Sequence, residues 1–403
     1  MSYQRSLFAL GVCCASIFLN PLVYSQEEGQ TIDARPVGIK SAPKGVITPA
    51  VAPSIKNDSE VFLTGDFIYW QAQQDGLDFA ISGGYGFTAL DPDTGKLRTV
   101  VPTSSSVKQV PRPWEPGFKL GFGMNLQHDG WDLFAQWTWL NPILGNKKSV
   151  KRDTSNESNI LSNIPARTGT VFKTAGNNYK ITGAWGLHYN VIDLELGRNF
   201  FLSRYMTYRP HFGLKTAWIN QTFQTHFYPT TDLNQSSDFF QLWKDDTNYA
   251  GGVFKQNQKL KSWGLGIRAG IDPVWHFAKN WGVYGNLALS AMYQYYSASG
   301  TLNGYNTAFV NASDGTTAPY KAYPISSTME VMNAHRSNHT VTPVLELGLG
   351  LEYMAWFYDE SYMLELKAGW EEQVWFNTNR FMDAMSTGNL TLQGFTFKAG
   401  FHF

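Results

Sequence analysis

Apolar and polar residues alternate strictly at the carboxyl-terminal end of the chain. Phe395, Phe397, Ala399, Phe401 and Phe403 share one face, and Thr396, Lys398, Gly400 and His402 the other. A period of two belongs to a β-strand. A strand with one oily and one charged face asks for two environments, and lipid outside with a polar interior supplies both. The pattern recurs upstream and predicts strands over Val61–Gln71, Phe118–Leu126, Trp131–Trp139, Ile181–Arg198, Met206–Gln221, Trp263–Asp272, Trp281–Tyr293, Leu345–Tyr353 and Tyr362–Glu371. The faces of the first strand separate least cleanly. Within the fourth, the apolar phase differs between Trp185, Leu187, Tyr189 and Ile192, Leu194, Leu196, which predicts a bulge near Asn190.

The links alternate as well. Short ones join strands two to three, four to five, six to seven and eight to nine. Long polar ones cover 72–117, 140–180, 222–262, 296–342 and 374–391. Short periplasmic turns, long external loops and an even strand count describe an outer-membrane barrel, whose closure removes the sheet edges. The expected fold is therefore all-β: a transmembrane, antiparallel, up-and-down β-barrel of about ten strands over 60–403, with the last strand closing onto the first. Aromatic residues fall at strand ends. Tyr69, Trp137, Trp139, Trp218, Trp263, Tyr293 and Trp370 mark an outer girdle, and Trp131, Trp281 and Tyr353 a periplasmic one.

Composition agrees. Aromatics are 15% and charged residues 16%, below the roughly 25% charge of soluble domains. Basic and acidic residues balance at 32 each, which gives no reason to expect nucleic acid as a partner. Both cysteines, Cys13 and Cys14, lie in a stretch that reads as a signal peptide over 1–25: Arg5, an apolar run from Leu7 to Leu19, then Val23-Tyr24-Ser25. Val12 is bulky for the residue preceding a lipidated Cys13. A mature chain cut after Ser25 holds no cysteine. Residues 26–59, with Pro36, Pro43, Pro49 and Pro53, read as an unstructured periplasmic segment. Beyond the signal no apolar run reaches the roughly 18–20 residues of a membrane helix.

The inward charges are the candidate pore lining: Asp66, Lys119, Asp132, Arg209, Lys215, Arg268, Asp272, Glu346, Glu352, Glu365, Lys367, Glu371 and Lys398, together with Asp193 and Glu195. Two readings stay open. The charges line a water-filled channel, or they pair across the lumen and plug it. Inward-folding loops would constrict it further. Glu346, Glu352, Glu365 and Glu371 suggest a mild cation preference, against which stands a wall salt-bridged to Arg268, Lys367 and Lys398. Alternate inward glycines such as Gly121/Gly123 and Gly348/Gly350 leave room for bulky neighbours. No GxSxG or HExxH pattern occurs, so no enzyme and no cofactor are expected. His335 and His339 would chelate a metal only if their loop were helical, and no metal site is assigned.

Several stretches carry a resemblance. Phe62-Leu63-Thr64-Gly65-Asp66-Phe67-Ile68-Tyr69-Trp70 with Asp75-Gly76-Leu77-Asp78-Phe79-Ala80, Pro116-Gly117-Phe118-Lys119-Leu120-Gly121-Phe122-Gly123, Asp193-Leu194-Glu195-Leu196-Gly197-Arg198 and Arg209-Pro210-His211-Phe212-Gly213-Leu214 are similar to the Legionella/Chlamydia-like major outer membrane protein family. The resemblance implies an abundant outer-membrane barrel regarded as a porin. Chlamydial members are cysteine-rich and cross-linked, and that feature does not carry over to a cysteine-free mature chain. The expected function is passive diffusion of small hydrophilic solutes and ions, with a structural role in the membrane. The alternative is a closed barrel acting as an adhesin through loops 72–117 and 296–342. Expected partners are the outer-membrane bilayer and the barrel assembly machinery, which would read Phe403 as an end signal. A second copy of the chain and host-cell surface ligands stay open as partners.

Overall fold

The computed structural model describes residues 61–83, 87–90, 97–100, 106–126, 130–142, 147–151, 161–163, 178–203, 205–229, 247–278, 280–310, 321–358, 361–382 and 388–403. The expected signal peptide and the Pro-rich segment lie outside them. Ten strands form one closed antiparallel ring. They are β1 (Val61–Gln74), β2 (Trp114–Asn125), β3 (Trp131–Leu140), β4 (Asn178–Arg198), β5 (Met206–Pro229), β6 (Thr247–His276), β7 (Trp281–Val310), β8 (Lys321–Phe357), β9 (Tyr362–Trp375) and β10 (Leu390–His402). Each pairs with its sequence neighbours, and β10 pairs with β1 from Phe62↔His402 to Gln74↔Leu390. The Val61 and Phe403 backbones exchange two hydrogen bonds at 3.3 and 3.0 Å, so the expected closure is made to its last residue.

The period-two pattern sorts faces as read. Ile267 is 69% exposed and Leu289 61%, while Arg268 and Ser290 beside them in sequence are buried. The girdle residues sit on the outward face. Trp218, Trp263, Tyr293 and Trp370 are exposed towards the long-loop end, and Trp281 packs on Tyr353 at the short-turn end with ring centroids 4.8 Å apart. Tyr69 is exposed beside Trp114, and Trp139 stacks on Phe118. Trp137 meets Phe118 edge-on, and Trp131 meets Phe212.

Two expectations fail. No bulge interrupts β4 at Asn190, because its register runs unbroken against β5 from Lys180↔Tyr228 to Gly197↔His211. Trp185, Leu187, Tyr189, Asp193 and Glu195 all point inward and are buried. The change of phase is a change in the interior, from polar to apolar, and not a slip of the strand. The long links are also shorter than read. β6 and β7 each run 30 residues and β8 runs 37, where a crossing takes about 9–11. Much of 222–262 and 296–342 is therefore strand carried past the membrane zone. A β-ladder satisfies its own backbone hydrogen bonds, so polar side chains on both faces do not end it.

A further three-stranded sheet pairs Asp78–Ser82 with Ser106–Gln109 and with Leu161–Asn163. Its Phe79 ring lies against Gly183 of β4, leaving no room for a side chain there. Leu77, Phe79, Ala80, Val110 and Leu161 join one buried cluster with Ile68, Trp70, Tyr189 and Trp375 of the wall. Parts of the links 72–117 and 140–180 thus fold into the mouth of the barrel.

Candidate functional site

The lumen has two zones. Towards the short-turn end, a cavity of about 290 Å³ is lined by inward side chains of all the barrel strands and reaches the rim at Asn125, Asn199, Met354, Trp356 and Met363. Inward glycines make that space usable. Gly123 lies under the Phe62 ring, and Gly350 and Gly369 lie under Tyr284, where a Cβ would collide.

Every inward charge named from the sequence faces this interior, and nearly all are paired. Arg209 binds Asp132 through Nε at 2.9 Å, Asp272 through Nη1 at 2.8 Å and Glu195 at 3.2 Å. Arg268 joins Glu195 to Glu346, the latter at 2.9 Å. Lys215, fully buried, sits between Asp193 at 2.7 Å and Glu346 at 2.8 Å. Lys367 bridges Glu352 at 3.1 Å and Glu365 at 2.8 Å, and Lys398 reaches Glu365 at 3.2 Å. Lys119 pairs with Glu371 and lies over the Trp70 ring. Asp66 accepts from Gln136 at 3.3 Å. The salt-bridged wall is what forms. Isolated charges in so narrow a lumen would each pay a desolvation cost of several kcal/mol, which an excellent ion-pair geometry offsets.

Towards the long-loop end the lumen is filled. Trp70, Tyr189 and Trp375 have no exposed surface. Tyr189 donates to Gln373 at 2.7 Å and meets Trp375 edge-on at 6.0 Å. β4 and β9 stand on opposite sides of the ten-strand ring, so that contact spans it. Gln221 of β5 donates to Gln74 of β1 at 3.1 Å, again across the lumen. Above this layer, Thr378 also donates to Gln74, and Phe381 packs near Phe223 at 6.0 Å, so the last long loop folds inward too. Alternation alone did not reveal this plug. Its trace in the sequence was the phase change at Asn190 and the mixed face of β1, where Ile68 and Trp70 point inward.

Glu195, His211 and Asp272 bring ligand atoms within 4.8 Å of one another. Arg209 holds both carboxylates and Arg268 holds Glu195. Guanidinium groups occupy the position a cation would take, so the residues do not fit a metal. His335 and His339 lie on the β8 strand, not on a helix. Four residues of strand separate them by about 13 Å, too far for one ion, and His339 stacks on Tyr293 instead.

Comparison with known proteins adds the family. The family model described as Legionella pneumophila major outer membrane protein precursor matches residues 54–403. No curated protein matches. Among solved structures, the P. putida toluene transporter TodX is 9% identical, covering 86% of this chain and 89% of that one, with a TM-score of 0.21. A Pseudomonas aeruginosa FadL homologue is 11% identical over 86% and 90%, with a TM-score of 0.20. Ail, the attachment invasion locus protein of Yersinia pestis, is 9% identical over 62% and 97%, with a TM-score of 0.18. The closed ten-strand ring and the family match together make this chain an outer-membrane β-barrel belonging to the Legionella major outer membrane protein family.

Proposed function

We propose that the barrel is a diffusion channel closed at rest, which passes small hydrophilic solutes and ions when its outer plug is displaced. The observation that carries this reading is the make-up of the barrier. A polar chamber on the periplasmic side stands behind a plug built partly from loop residues, Leu77, Phe79, Val110 and Phe381. Loop segments can move without breaking the wall. Among the described residues, those lining the chamber include nine carboxylates (Asp66, Asp132, Asp193, Glu195, Asp272, Glu346, Glu352, Glu365, Glu371) against five cations (Lys119, Arg209, Arg268, Lys367, Lys398), with Lys215 at its boundary, which favours cations in transit.

Planar-bilayer recording of the purified, folded protein tests this. The expected result is rare, small openings that become frequent when 376–389 is shortened to a tight turn. Silence from both proteins would overturn it. A second reading, a closed barrel that presents its outer surface to a ligand, is favoured by the Tyr189–Gln373 contact across the lumen and by the projecting β5–β8 sheet. Ligand attachment that is lost on loop deletion, with no conductance in either protein, would select it. Phe403, on the outward face and tied to Val61, is free to serve the assembly machinery as an end signal before closure.

A further inference from the structure

The projecting sheet carries an asymmetric charge. On the outward face of β6, Trp263 marks the outer girdle, and Lys261, Lys259 and Lys255 follow it away from the membrane, all exposed. At about 3.3 Å per residue and a tilt near 40°, Lys261 stands roughly 5 Å and Lys259 roughly 10 Å beyond the girdle. The patch continues sideways. Lys255 is level with His226 of β5, Lys180 of β4 lies over the Tyr228 ring at 5.2 Å, and the short strand Lys147–Lys151 pairs with β4 so that Lys151 faces Lys180. Ser149 and Thr182 touch at 3.0 Å between them, which places Lys147, Ser149 and Lys151 on the same outward face. Lys147, Lys151, Lys180, Lys259 and Lys261 make no ion pair with the described residues. His226 senses the patch. Burial, then Lys255, Lys147 and Lys180, hold its imidazole below the usual histidine range.

At the same level on β7 and β8 the outward residues are Ser297, Ser299, His335 and Ser337. Among the described residues compared, the lysines lie on the β4–β6 side and not on the neighbouring β7–β8 face. Like charges gathered on a rigid sheet repel. Lys259 and Lys261 stand just beyond the girdle, where the phosphate groups nearest the acyl chains of outer-leaflet lipid lie. Lys147 and Lys180, level with Gln224 and Tyr228 of β5, stand roughly 15–25 Å beyond Trp218, at the depth of a longer sugar headgroup.

We propose that this face of β4–β6 and the Lys147–Lys151 strand binds the phosphorylated headgroup of an outer-leaflet glycolipid. Lys259 and Lys261 meet the phosphates nearest the acyl chains, and Lys147, Lys151 and Lys180 meet those further out. The girdle tryptophans Trp218 and Trp263 cover the adjoining sugar and acyl boundary. This inference stands whether the lumen conducts or not.

The test compares the folded wild-type protein with the variant Lys147→Gln, Lys151→Gln, Lys180→Gln, Lys259→Gln, Lys261→Gln, and with a control carrying Ser297→Gln and Ser299→Gln. Binding of lipopolysaccharide with a phosphorylated inner core and of its dephosphorylated form is measured in mixed detergent micelles, and folding is checked by heat-modifiable gel migration. The expected result is preference for the phosphorylated lipid by the wild type and the control. The five-lysine variant loses affinity by tenfold or more, on the order of what several surface lysines supply. Equal binding of both lipids by the wild type would overturn the proposal. So would an unchanged affinity in the folded variant, or binding of soluble polyphosphate with no retention of lipid. If the five-fold variant fails to fold, the pair Lys259→Gln and Lys261→Gln alone is measured, with a smaller loss expected and no loss overturning the claim.

Discussion

The two ends of one lumen solve the problem of a narrow interior differently. The periplasmic half keeps its charges and cancels them, Arg209 and Arg268 each holding two or more carboxylates. The outer half discards charge and packs Trp70, Tyr189 and Trp375 with loop residues into a dry layer. Lys215 stands at the boundary, its ammonium paired with Asp193 and Glu346 and its side chain near the Trp375 ring at 6.0 Å. Among the described residues, the tightly packed apolar layer lies in the outer half of the lumen. In the proposed channel, the inner chamber would set which solutes are tolerated and the outer layer whether any pass.

The largest effect expected is that of Trp375→Ala, which removes a fully buried ring from the layer. It should cost about 3–5 kcal/mol in reversible urea unfolding from vesicles and raise open-channel conductance. A folded variant that stays silent would place the barrier elsewhere. Lys215→Met leaves Asp193 and Glu346 to share Arg268 alone at the boundary and should cost about 3–5 kcal/mol in the same assay. A near-neutral result would mean that the chamber's water reaches them. Outside the lumen, Ile267→Lys puts a charge on the lipid face, which should cost about 2–4 kcal/mol. If it cost nothing, the membrane zone would be misplaced. Tyr189→Phe deletes the hydroxyl that spans the ring and should cost about 1 kcal/mol, with more frequent openings in the bilayer. The smallest change belongs to the inner half. Glu352→Gln removes one carboxylate of nine and should lower the cation-to-anion permeability ratio, read from the reversal potential in a salt gradient, without altering opening frequency.

Much of the fold was legible. The alternation in Phe395–Phe403, Leu345–Tyr353 and Trp281–Tyr293 assigned faces, because lipid accepts only apolar side chains and enforces the period locally. The short and long links gave strand order for the same kind of reason. The candidate lining was found by parity alone, and each of those residues faces inward. What parity could not give was which charge meets which. Arg209 meets Asp132 from two strands away, and Lys119 meets Glu371 from three. Such distances depend on barrel radius and strand stagger, and no single strand encodes them.

The phase change at Asn190 is the instructive misreading. Alternation says that two faces differ, not which face is apolar, and a dry interior reverses the usual assignment without any bulge. The chain by itself therefore determined a closed, lipid-facing barrel with its girdles and its inward charges, because each of those follows from a local requirement met residue by residue. Only the tertiary structure decided that the outer lumen is sealed, that the charges are spent on one another, and that the lysines of β4 and β6 and of the Lys147–Lys151 strand share one face. Those facts arise from contacts between residues far apart in the chain, which the closed ring brings together.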